Sequence, residues 1–218
     1  MIAAERFFAD RDRLAWNLAS DVASKLRAQV AQYGEAVLAV SGGTTPTLFF
    51  DKLSEVGIPW RNVTVTLVDE RQVPEASERS NARLVKAHLL QNKAAAAHFV
   101  PLYENPAAAK LPVLDVVVLG MGDDGHTASF FPGGDTLSRV LDPAGSEKLM
   151  AISAPGAGEP RLTFTLPMVL KAAHIILHIE GPEKRATLDK ALGEGPTEDM
   201  PIRAVLRSGV PVTLYWCR

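Results

Sequence analysis

Short apolar runs alternate with helical patterns along the whole chain, and this alternation constrains the fold more than any other feature. Leu14, Leu18, Val22, Leu26 and Val30 recur every fourth residue and mark one face of a long helix that Gly34 ends. Glu35–Val40 reads as a strand buried on both faces. Pro46 then fits the first turn of a helix continuing through Phe49, Phe50 and Leu53. Asn62–Val68 is a β-branched strand, and Ser80 caps a helix running through Leu84, Val85, His88 and Leu89. "LDVVVLG", "EKLMAIS", "HIILHIEG" and "VPVTLYW" supply further strands; "LPMVLKAA", "PEKRATLDKALG" and "IRAVLR" supply helices. Such a succession predicts an α/β, Rossmann-like fold: a mostly parallel sheet with helices on both faces. With 218 residues and no repeat or long linker, one domain over residues 1–218 is expected.

Lys and Arg number 23 against 25 Asp and Glu, and no basic block stands out, so nucleic acid and anionic membrane are poor partners. No apolar run approaches the ~18 residues of a membrane span, and the start lacks the apolar segment of a signal peptide. Cys217 is the one cysteine, which rules out a disulfide framework and fits a cytoplasmic protein. No spacing of His, Cys and Asp suggests a metal site.

In open α/β sheets ligands bind beyond the carboxyl ends of the strands, so the residues at those exits carry the functional reading. Ser41, Gly42, Gly43 and Thr44 follow the first strand, and Asp69, Glu70 and Arg71 the second. The small residues at 41–44, at a helix N-terminus, suit an anion. A plain tight turn with Thr45 as helix cap accounts for them equally well. Lys184 falls in the first turn of a helix, where a cation is unfavourable unless an anion binds nearby. A solvated surface lysine is the simpler account of Lys184 alone. Structural ion pairs, for instance with Glu70 or Glu159, would likewise explain Arg71 and Arg161.

The stretch "GMGDDGHTASFFPG" contains Gly120, Gly122 and Gly125 in dinucleotide-loop spacing. Asp123 and Asp124 sit where pyrophosphate would lie, however. Two unit charges ~4 Å apart cost about 4 kcal/mol at an effective dielectric of 20. Pro132 also comes too early for the long helix that should follow, so the dinucleotide reading is rejected. His126 is better explained as a general base, with Asp124 holding its tautomer. The other reading makes these residues a shaped turn capped by His126. His88, His98, His174 and His178 lie in helix or strand patterns with no acidic neighbour and are read as structural. No Gly-x-Ser-x-Gly elbow is present, which leaves acid–base chemistry on a phosphorylated small molecule.

"VSGGTTP", "VTLVDERQVP", "SNARLVKAHLL", "VVVLGMGDDGHTASFFPG", "RLTFTLP" and "GPEKRATL" together resemble the 6-phosphogluconolactonases, in order from about Val40 to Lys190. That family shares its fold with the glucosamine-6-phosphate deaminases, so the resemblance implies a glucosamine-6-phosphate deaminase-like sheet. Deaminases usually carry Asp-Glu-Tyr where this chain has Asp69-Glu70-Arg71, and isoleucine followed by an Asn-Glu pair where it has Thr127 and Phe130-Phe131. Phe130 replaces the leucine usual in the lactonases, an apolar exchange.

The resemblance implies hydrolysis of 6-phospho-D-glucono-1,5-lactone to 6-phosphogluconate, a step of the pentose phosphate pathway, without cofactor or metal. His126 would take a proton from the water attacking C1, and Asp124 would orient His126. Arg71 would lie near the developing oxyanion or the sugar ring. Gly42, Gly43, Thr44, Arg161 and Lys184 would hold the 6-phosphate. Asp69 and Glu70 would contact sugar hydroxyls or fix Arg71, with Ser41 and Gly125 also counted as substrate-binding. The expected partner is a phosphorylated sugar lactone, bound by a monomer or weak homodimer. An amino-sugar phosphate deaminase or isomerase and a non-catalytic sugar-phosphate-binding protein are the alternatives.

Overall fold

Five of the apolar runs become adjacent parallel strands. The computed structural model describes residues 1–218. In chain order its elements are β1 (Ile2–Phe8), α1 (Arg11–Tyr33), β2 (Ala36–Val40), α2 (Thr47–Ser54), β3 (Val63–Leu67), β4 (Asp69–Arg71), α3 (Asn81–His88) and β5 (His98–Val100). There follow β6 (Val116–Leu119), α4 (Leu137–Val140), β7 (Leu149–Ile152), β8 (Arg161–Phe164), α5 (Leu166–Leu170), β9 (His174–Glu180), α6 (Pro182–Leu192), α7 (Ile202–Leu206) and β10 (Val212–Cys217). Seven strands form a parallel sheet in the order β1-β10-β9-β6-β2-β3-β5. Every residue of β2 and β6 is buried, so both faces of the sheet are covered at its centre, as their unbroken apolar sequences require.

Local chemistry sets the helix ends. Asp10 caps α1 by accepting from the Arg13 N–H, and Gly34 closes it in the left-handed region (φ 85°), donating to the Val30 carbonyl. Ser80 caps α3, as its sequence position predicts. Thr45 does not cap α2: Pro46 occupies that position, and no side chain accepts from the first turn.

Two features differ from the sequence reading. The edge strands β1 and β5 escape it because an edge strand needs no continuous apolar run, and β1 is mostly exposed. The second is a separate antiparallel sheet, β4-β8-β7. It pairs Arg71 with Arg161 and Asp69 with Thr163, so two cations stand opposite each other on one face. Like charges so placed repel. Asp69 offsets the repulsion on the Arg161 side, with 3.7 Å between Asp69 Oδ2 and Arg161 Nη1.

No helix is long and apolar enough to cross a membrane. One contiguous apolar core runs from Leu14 to Cys217. Leu38 lies fully buried within it, on β2 between β6 and β3. Leu38→Ala is expected to lower stability by about 2–5 kcal/mol, read as a lower urea midpoint with the slope unchanged.

Candidate active site

At the carboxyl end of β2 the chain turns through Ser41–Thr44. Gly43 adopts φ +89°, which glycine tolerates without strain. Ser41 Oγ accepts from the Gly120 N–H (3.1 Å) and joins this turn to the exit of β6. No side chain caps α2, so its N-terminus is open to an anion; the Thr47 N–H donates to the Thr44 carbonyl (3.5 Å).

The pleat of β4 separates Asp69-Glu70-Arg71 into two sets. Asp69 and Arg71 face a cavity of about 500 Å³, but Glu70 does not. Glu70 is buried and accepts from the Asn81 N–H (2.8 Å), the Ala82 N–H (2.7 Å) and Ser80 Oγ (3.2 Å). It therefore anchors the N-terminus of α3, also accepts from the Arg71 backbone N–H (2.7 Å), and lies outside the cavity lining, unlike the substrate-binding position expected for it. Burial pushes its carboxyl above the ordinary value, with the backbone hydrogen bonds from Asn81, Ala82 and Arg71 opposing.

Arg71 forms no ion pair, whereas Arg161 pairs with Asp69 and not with Glu159. Arg71 donates from Nη1 to the Arg79 carbonyl (2.7 Å) and Asn81 Oδ1 (2.7 Å). Arg161 is buried and bonded to the carbonyls of Glu159 and Ala157, with Asp69 alongside. Burial lowers its pKa, partly countered by Asp69. Glu159 instead pairs with Arg79 through both oxygens, which draws its pKa down to about 2.

The loop after β6 holds its histidine tightly. Asp124 Oδ1 accepts from the His126 backbone N–H (3.0 Å) and lies 2.6 Å from its Nδ1. A carboxylate can only accept here, so the neutral ring carries its proton on Nδ1 and its free lone pair on Nε2. Burial raises the Asp124 pKa, but hydrogen bonds from the His126 ring and backbone outweigh it and hold the carboxyl below its ordinary value. Phe131 stacks on the imidazole, ring centroids 4.1 Å apart, and Arg161 lies over the same phenyl ring. On Gly122, a Cβ would meet His126 Nδ1 at 2.1 Å. Gly122→Ala is therefore expected to displace the ring and lower turnover about tenfold or more, since a ~1 Å misplacement is already costly. Loss of the protected Nδ1–H signal in the proton NMR spectrum would show the displacement directly.

The cavity opens between the two sheets and brings together Ser41, Gly42, Gly43, Thr44, Asp69, Arg71, His126, Arg161 and Lys184. Asp124 stands behind His126, outside the lining. Gly125, expected to bind substrate, also lies outside it: it packs against Met200 and accepts from the Ile202 N–H (2.9 Å), so it anchors the loop. Lys184 Nζ contacts Asp123 Oδ1 (2.8 Å), a carboxylate exposed enough for an anionic ligand to displace it.

Several lining residues escaped the sequence reading: Arg79, Asn81, Phe131, His178 and Glu180. His178 does have an acidic neighbour, Glu180, 3.2 Å from its Nε2, and His88 Nδ1 lies 2.8 Å from Asp51. The His-x-Glu spacing on β9 placed both groups on one face and was the available signal. The His88 contact joins two helices and left no local trace.

A parallel sheet with a cationic, histidine-bearing cavity at the carboxyl ends of its strands is the arrangement of an α/β enzyme for a small anionic ligand. The chain belongs to the glucosamine-6-phosphate isomerase/6-phosphogluconolactonase family, whose profile matches residues 9–216. It is 53% identical to a 6-phosphogluconolactonase of Mesorhizobium japonicum, over 96% of this chain and 93% of the relative. It is 48% identical to that of Rhizobium meliloti, over 99% of both chains. The crystal structure of a 6-phosphogluconolactonase from Shewanella baltica superposes with a TM-score of 0.94 at 38% identity, over 99% of this chain and 97% of the other.

Proposed function

We propose that the protein hydrolyses 6-phospho-D-glucono-1,5-lactone to 6-phospho-D-gluconate, residues 1–218 acting as one domain. The observation that carries this reading is the His126–Asp124 pair, its free Nε2 beside a cavity that also holds Arg71, Arg161 and Lys184. Water attacks C1 of the lactone while Nε2 takes its proton, and Asp124 steadies the imidazolium that forms. Arg71 faces the negative charge that develops on the C1 oxygen. When the C1–ring-oxygen bond breaks, His126 returns the proton to the ring oxygen, and the carboxylic acid left at C1 releases its own proton to solvent to become the carboxylate. The 6-phosphate lies against the Gly42–Thr44 turn, Arg161 and Lys184, and this anchoring places C1 at the base.

The test is hydrolysis of lactone generated in place from glucose 6-phosphate, against a blank without protein. A rate well above the spontaneous one is expected. No acceleration overturns the reading, and ammonia release from glucosamine 6-phosphate would then identify a deaminase. Stabilisation by 6-phosphogluconate with no turnover of either compound would identify a binding protein.

A further inference from the structure

Asn81 is the first residue of α3 and is 2% exposed, yet its side chain caps nothing on its own helix. Ser80 and Glu70 do that work. The carboxamide reaches two parts of the cavity, β4 and the turn at Gly42. Oδ1 accepts from Arg71 Nη1 (2.7 Å), and Nδ2 donates to the Asp69 carbonyl (3.0 Å). The same group lies so close to Gly42 that a Cβ there would sit 1.9 Å from Asn81 Oδ1.

Arg71 is held only by neutral acceptors, Asn81 Oδ1 and the Arg79 carbonyl, and its Nε is buried without a partner. No carboxylate shares its charge, so the full cation remains for a ligand. An aspartate at position 81 would neutralise part of it and set an oxygen against the Asp69 carbonyl. An asparagine serves both neighbours with the correct polarity.

We infer that Asn81 is a positioning residue: its carboxamide fixes the Arg71 guanidinium and ties it to the Gly42–Gly43 turn. The kinetic part of this inference rests on the lactonase reading; the geometric part does not.

A double-substitution cycle tests it, using Asn81→Ala, Arg71→Ala and both together. If Asn81 acts through Arg71, Asn81→Ala lowers kcat/KM about tenfold or more in the wild-type background and less than about twofold in the Arg71→Ala background. Equal losses in the two backgrounds overturn the inference and leave Asn81 a structural residue. The α3 cap is untouched by these changes, and Asn81→Asp, nearly isosteric, serves as a second variant. It is expected to keep the melting temperature within a few degrees yet lose kcat/KM, because it adds charge beside Arg71; an unchanged kcat/KM overturns the inference.

The Arg71 Nη1–H resonance, assigned by its absence in Arg71→Ala, gives a readout of the Asn81 contact independent of the reaction. It should be protected from exchange in the wild type and exposed in Asn81→Ala. Equal protection in both overturns the inference whatever the protein's reaction. Absence of lactone hydrolysis together with lost protection would overturn the lactonase reading alone.

Discussion

Replacing His126 by alanine is expected to lower kcat for the lactone by about 10²- to 10⁴-fold, the range set by loss of a positioned general base. The ring's Nδ1 is committed to Asp124, so Nε2 is the nitrogen left to accept a proton from water. Nothing in the surrounding wall replaces it in kind. Asp69 is already engaged by Ser129 Oγ and Arg161, and His178 by Glu180. The anion contacts proposed at the Gly42–Thr44 turn, Arg161 and Lys184 do not depend on the imidazole, so affinity for 6-phosphogluconate should stay within a few-fold. The side chain of His126 is 28% exposed, and its removal should leave the protein folded. The lactone also opens spontaneously, so the rate must be read against a blank. Equal rates in folded wild type and variant, both above the blank, would keep the activity and remove His126 as its base.

Asp124→Asn is expected to reduce kcat by about 10²- to 10⁴-fold with little change in product binding. The amide is nearly isosteric, so the loop keeps its shape, but it lacks the charge that steadies an imidazolium. It can also present N–H to Nδ1 and reverse the tautomer, which would put the proton on Nε2 and leave that nitrogen no lone pair for the water. The substitution has a pH signature as well. The folded pKa of Asp124 lies below its ordinary 3.8, so its stabilising contribution is fully present above that value. It fades as the pH falls through the folded pKa. The stability gap between wild type and variant should therefore be constant near neutrality and close below about pH 4. A gap that widens in acid would mean that Asp124 is not the stabilised carboxylate described here. Unchanged kcat would separate its structural role from catalysis.

Much of this site was legible in the order of residues. His126, Asp124, Lys184 and the Gly42–Thr44 turn each follow a recognisable strand or open a helix, and strand exits are where such sheets bind ligands. Glu70 lies off the cavity wall, and the clue lay in the sequence. In a three-residue strand alternate side chains point to opposite faces, so Asp69 and Arg71 could not share a direction with Glu70. Gly125 lies off the wall for another reason: it packs against Met200, on a distant part of the chain. Asn81 and Phe131 were hidden in the same way, since each acts through a partner far along the sequence or across a loop.

By itself, then, the sequence determined the parallel α/β core, most of its elements and the chemistry of its loops. Those properties are set within windows of about ten residues by apolar periodicity, caps and turn residues, which act before any long-range contact forms. Only the tertiary structure decided that Arg71 and Arg161 stand opposite each other, because their pairing joins two short strands from distant parts of the chain. It alone decided that Asn81 rests on Gly42 and that Phe131 lies between His126 and Arg161. Such juxtapositions depend on how separately formed pieces pack, and close packing selects one arrangement that no single segment encodes.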